Sequence, residues 1–303
     1  MALHGSWIAT CLYVFNVTFA ALTLLFHIGG IYLISKLKTF NNRNKVLLNL
    51  STCEVFMICF RAPNMVAYAL YNNPSEHQVS KTSHNISTLI TTPAYVYIMM
   101  GLSLDPLAMV ILGINYKRKV SSKLTIIYLS LCWVLAIVPG LLMNSLIYQE
   151  ELSEVAIKIF IPFLSGLFLV QTITAYVVII STMVKQRRRM IEANESYNVN
   201  FRTRKIKIKT PILIIATFIL FIAVPTWIHS NLEQSIEIDL LVGACYSMGL
   251  ASDAVIYIYY NAALKEEFAR VKSQLICNLC HKKDIVSERL PRRNGLRIET
   301  EHC

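Results

Sequence analysis

Charge is scarce in this sequence. Only 16% of its 303 residues are Asp, Glu, Lys or Arg, whereas 55% are hydrophobic. That is more apolar surface than one water-soluble core can bury, so a soluble globular domain and a disordered chain are both excluded. Acids are scarcer than bases, 18 to 29, and the net charge is +11. No internal repeat is visible, which argues against a transporter built from repeated halves. No nucleophile is accompanied by a base or a set of metal ligands, which argues against an enzyme.

Long apolar runs are abundant instead. A helix needs about 20 mostly apolar residues to span hydrocarbon, and seven such runs occur, at roughly 7–35, 46–71, 86–114, 124–148, 155–184, 211–230 and 238–261. They are too long and too unpatterned to be barrel strands. The expected fold is therefore all-α, a seven-transmembrane helix bundle over residues 1–261. Between and behind the runs, 26 of the 29 Lys and Arg fall on one side. The positive-inside rule makes that side cytoplasmic and the N-terminus extracellular. The positive charge then faces anionic lipid and acidic partners, and nucleic acid is not an expected partner. The outer loops carry Glu76, Glu150, Glu151, Glu154, Glu233 and Glu237. No basic segment precedes the first run, so it is expected to stay as a helix and not to be cleaved.

Cysteines also matter by where they are missing. Cys53, Cys59, Cys132 and Cys245 lie in apolar runs, Cys277, Cys280 and Cys303 lie in the basic tail, and only Cys11 approaches the outer side. No outer disulfide and no zinc site with His partners can be drawn from them.

Several short motifs occur in a fixed order. "LLNLSTCE" ends at Glu54, "SLDPLAMVILGINYKRK" carries Asp105 and, eleven residues later, Tyr116, and "LCWVLAIVPG" carries Trp133. Tyr176 precedes the basic run at Lys185 by nine residues, Pro225 lies in the sixth run, and "SDAVIYIYYNAALKEEF" spans the end of the seventh run and the segment behind it. Together they resemble the rhodopsin-like (class A) G-protein-coupled receptors over residues 1 to about 280. The resemblance implies a plasma-membrane receptor that transduces an extracellular ligand to a heterotrimeric G protein. It implies switch roles for Asp105, Tyr176, Pro225, Asp253 and Tyr257. It also implies that Glu54 and Asp253 hold water or a sodium ion, although Tyr95 and Gly249 stand where the family has smaller ligands. Two close carboxylates either share a proton or bind a cation.

The departures bear on signalling. Pro106 replaces the family's Arg after the acid, and proline in a helix interior costs about 3 kcal/mol. Either the helix ends a turn early or the switch is altered. Asp105 then needs another partner, such as Lys117, Arg118 or a cation before the sixth run, or it sits hydrated or protonated. Ala254 replaces the seventh-run proline, Ala223 a large aromatic, and the outer disulfide is missing. These departures support an alternative reading, a non-signalling seven-helix binding or scaffold protein with an impaired switch.

Candidate ligand contacts are Arg61, Thr88, Thr92, Trp227, His229 and Ser247. Arg61 lies seven residues beyond Glu54, hence on the same helix face and about 10 Å further along. It either pairs with an outer acid, Glu233 or Glu237, or binds an anionic ligand group. Thr88 stands where amine receptors place their acid, so a simple amine ligand is not expected. Trp227 is either a ligand contact or an interfacial aromatic. Asn85 begins an outer Asn-Ile-Ser sequon close to the third run. Behind the seventh run, Leu264, Phe268, Val271 and Leu275 recur at helical spacing, so residues 262–280 are expected to form an amphipathic helix on the cytoplasmic membrane surface. Cys277 and Cys280 follow it as palmitoylation candidates. Residues 281–303 form a cytoplasmic tail.

Overall fold

The computed structural model describes residues 7–37, 41–70, 82–83, 85–148, 154–192, 212–231, 236–261 and 264–274. All regular structure among them is helical, as a bilayer demands of apolar segments that must satisfy their own backbone groups. The helices are α1 (Trp7–Lys36), α2 (Asn42–Leu70), α3 (Thr92–Leu112, entered through a π turn at Ser87–Thr91), α4 (Ser122–Tyr148) and α5 (Glu154–Glu192). Then come α6 (Ile212–Ala223, continuing as Val224–Asn231), α7 (Ile236–Tyr260) and a short α8 at 264–274. Six of these, α1 to α5 and α7, are long and apolar enough to cross a membrane, and α6 contributes a shorter apolar helix. The chain is a multi-pass helical membrane protein.

Three boundaries differ from expectation, each for a local reason. The side chain of Asn41 accepts the Asn44 amide at 2.9 Å, capping α2 at 42 instead of 46. Arg43 and Lys45 therefore ride on the first turn of α2. Helix α5 runs on to Glu192, so Lys185 and Arg188 are helical residues and not loop. Most consequentially, α3 passes straight through Pro106 to Leu112, where Gly113 turns the chain at φ +51°. The reading in which the helix ends early at Pro106 is thus corrected. Next to the proline, Gln171 of α5 gives its amide to Ser103 Oγ at 3.0 Å and to Met100 O at 3.4 Å, which ties α5 to α3.

Helix α3 is the axis of the bundle. Tyr95, Ile98, Met99 and Leu102 are fully buried on it. Phe218 of α6 stacks on Tyr95 with centroids 5.8 Å apart and meets Phe168 of α5 edge-on at 4.8 Å, an arrangement favoured by the ring quadrupoles. Apolar side chains such as Ile127, Leu131 and Val134 on α4 and Leu167, Val170 and Val177 on α5 point outward, as lipid contact requires.

Both π turns sit just before a proline. In α3 the amide of Thr92 bonds Ser87 O ahead of Pro93, and in α6 the amide of Val224 bonds Ile219 O ahead of Pro225. A proline cannot donate to the carbonyl four residues back and clashes with it, and the widened turn gives it room. Glycines of other helices approach these turns. A Cβ on Gly140 of α4 would lie 2.5 Å from Leu89 O, and one on Gly249 of α7 would lie 2.9 Å from Phe221 Cβ.

In α8, Leu264 is buried, Val271 is half-buried against the core and Phe268 is exposed. Leu275, Cys277 and Cys280 lie outside the described residues.

Candidate functional site

Five helices meet at one buried polar group. Glu54 of α2 faces His27 of α1, with Oε2 3.0 Å from Nδ1, and the other ring nitrogen of His27 lies 2.8 Å from Leu250 O of α7. Asp253 of α7 accepts the Tyr95 hydroxyl of α3 on Oδ2 at 2.7 Å, and its Oδ1 lies 2.5 Å from Thr217 Oγ1 of α6. Glu54 and Asp253 also lie within hydrogen-bonding reach of each other. His27, Glu54, Tyr95 and Asp253 each have 0% exposure. The pairing of Glu54 with Asp253 was expected from the sequence, but His27 was passed over. Its signal was present, an ionisable residue in the middle of an apolar run, which in a membrane helix faces the bundle.

Below His27 on the same face of α1, a polar seam ties α1 to α7. Asn16 donates to Leu240 O at 3.0 Å and accepts from Ser247 at 3.1 Å, while Thr23 bonds Ser247 O at 3.1 Å. Residues 16, 23 and 27 recur at helical spacing. Interhelical bonds of this kind take the place of the hydrophobic drive that lipid removes.

At the end of the bundle where α2 starts and α3 stops, hereafter the basic end, Asp105 accepts a hydrogen bond from Tyr116. Burial, and then that bond, push the Tyr116 phenol well above its usual range. Arg43, from the first turn of α2, acts electrostatically on Asp105, on Tyr176 of α5 and on Tyr116. The side chain of Lys117 and the basic residues before the sixth helix, expected as partners of Asp105, lie outside the described residues, and Arg43 was not among the expected sources. The sequence placed Arg43 in a loop, and the four-residue extension of α2 is what carries it to Asp105. Pro106 is buried beside it, and the Tyr176 hydroxyl is buried with no hydrogen bond to a described residue.

The expected ligand contacts lie on several helices, each with neighbours of its own. Arg61 lies over the ring of Tyr246, 4.3 Å from its centroid. Thr92 is tied down in the π turn by a bond to Ser87 O at 3.1 Å, and Ser247 belongs to the α1–α7 seam. Thr88 is half-buried in the same π turn. Trp227 is 62% exposed and lines, with Ser165, Gly166, Leu169 and Ala223, a cavity of about 230 Å³ between α5 and α6. Pro225 is buried on α6 beyond the widened turn. The side chains of His229 and Tyr257, and all of Glu233, fall outside the described residues.

Asn85 is buried, and its amide donates to Asn144 Oδ1 of α4 at 3.2 Å. That contact closes the sequon, because a glycan there would have to displace α4. Protein made in eukaryotic cells is expected to show no mobility shift on glycosidase treatment, and a shift lost in Asn85→Gln would contradict the placement.

No family model matches the chain, and no curated protein matches it.

Proposed function

We propose that the chain is a divergent seven-helix receptor of the rhodopsin-like class, lying in the plasma membrane with its N-terminus outside, that transduces an extracellular ligand to a heterotrimeric G protein. The observation that carries this reading is the electrostatic coupling of Arg43 on α2 to Asp105 on α3 at the basic end. Asp105 on α3 keeps an interhelical cation, Arg43, even though the residue after it is proline. A lock between helices at that end is what a bundle with two states requires, since it holds one state until a ligand binding the other more tightly shifts the balance. Ligand contact at the opposite end, near Arg61, Thr88 and Thr92, would be relayed through α6, whose widened turn and Pro225 give it a place to bend. The tail, with Cys277 and Cys280 lipidated behind α8, would anchor the basic face to the inner leaflet. The ligand's chemistry is open apart from the disfavoured simple amine.

Pro106, buried in an unbroken α3, favours a second reading, a binding or scaffold protein that does not couple. Ligand-free nucleotide exchange on a panel of G proteins separates the two. The native chain is expected to raise exchange above a mock membrane. Exchange from Pro106→Arg alone would make the proline an off-switch and favour the scaffold.

A further inference from the structure

The resemblance puts a sodium ion between Glu54 and Asp253, yet the residues present do not fit one. Both oxygens of Asp253 are engaged, one by the Tyr95 hydroxyl at 2.7 Å and the other by Thr217 at 2.5 Å. Oε2 of Glu54 is faced by a nitrogen of His27 at 3.0 Å, where an ion would need open access to oxygen. The imidazole cannot swing aside, because its Nε2 is bound to Leu250 O at 2.8 Å. That carbonyl only accepts, so Nε2 carries hydrogen, and Nδ1 is the ring nitrogen that faces Glu54 Oε2 at 3.0 Å. Tyr95, fully buried beside them, has its ring held against Phe218.

We propose that this site is closed to sodium and that His27 supplies the counter-cation of Glu54 from within the chain. An imidazolium opposite one carboxylate, with the second carboxyl protonated, leaves this dry group uncharged without a metal ion, which avoids the cost of two neighbouring buried carboxylates. Because the partners sit on α1, α2 and α7, the cation becomes a permanent tie among those helices and not an exchangeable ligand. The inference concerns the bundle and does not rest on coupling: it is read by stability, whereas the proposed function is read by nucleotide exchange, so each can fail without the other.

The test uses the full chain purified in detergent, with unfolding temperature measured in sodium chloride and in choline chloride at equal ionic strength. The native protein is expected to unfold at the same temperature in both salts. A saturable rise with sodium, as mass action requires of an ion that binds the folded state, would overturn the closed site. The same assay on His27→Gln, Glu54→Gln and the double variant tests the pairing. Each single change is expected to lower the unfolding temperature by several degrees, and the double change by no more than the larger single loss, because removing one member of a buried pair strands the other. Additive losses would overturn the pairing. A single variant that cannot be recovered folded while the double variant can be is the same non-additivity in its strongest form.

Discussion

Methionine in place of Arg43 is expected to lower the stability of the detergent-purified protein by about 1 to 2 kcal/mol, below the range for breaking a fully buried ion pair because both residues are half-buried. Asp105 would keep only the Tyr116 hydroxyl, and its charge would lose the guanidinium that acts on it. Replacing Asp105 by Asn in the Arg43→Met background should recover part of that loss, since the amide still accepts from Tyr116 while the stranded charge is gone. Chemical denaturation of the two variants and of Asp105→Asn alone closes the cycle. Equal losses with and without Asp105→Asn would show that Arg43 contributes through packing of its stem and not through Asp105. Arg43→Lys is expected to fall between native and Met, because a compact ammonium on a different stem cannot reproduce the planar, multi-donor guanidinium.

A methyl group added at Gly140 is expected to cost about 2 to 3 kcal/mol, at the upper end of overpacking losses. The new Cβ would lie 2.5 Å from Leu89 O and 2.6 Å from Ile90 Cγ1, and neither atom is the loose end of a flexible side chain. Leu89 O is the carbonyl that residue 93 would bond in a regular helix, and Pro93 has no hydrogen to give it. Alanine would push α4 off the π turn that opens α3. Gly166→Ala is the control: nothing lies within 4 Å of its Cβ position, and alanine's better helix propensity should make it neutral or stabilising by up to about 1 kcal/mol. Equal behaviour of the two variants in a thermal-unfolding assay would refute the close-packing account.

How much of this was legible beforehand varies with the range of the interaction. The apolar runs at 7–35 and 124–148 predicted α1 and α4 to within two residues, because span length is set by hydrocarbon thickness and counts the same in any context. The start of α2 was missed because Asn41 looks like one more polar loop residue until its side chain is seen capping the helix. Pro106 looked like a possible stop because proline removes a donor and crowds the preceding turn, yet α3 continues through it to Leu112. Trp227 and Arg61 were grouped by depth along the bundle, which says nothing about rotation around each helix axis. The structure turns Trp227 to the outer groove and Arg61 to Tyr246.

Local and additive properties were therefore settled by sequence alone: a helical chain with runs long enough to cross a membrane, basic segments gathered between particular runs, and carboxylates at Glu54 and Asp253 too costly to leave facing lipid. Partnership was decided only by tertiary structure. That His27 faces Glu54, that Arg43 acts on Asp105, and that Asn85 is closed off by Asn144 all depend on how helices far apart in sequence rotate and pack. A buried charge fixes the need for a partner, and packing selects which one it gets.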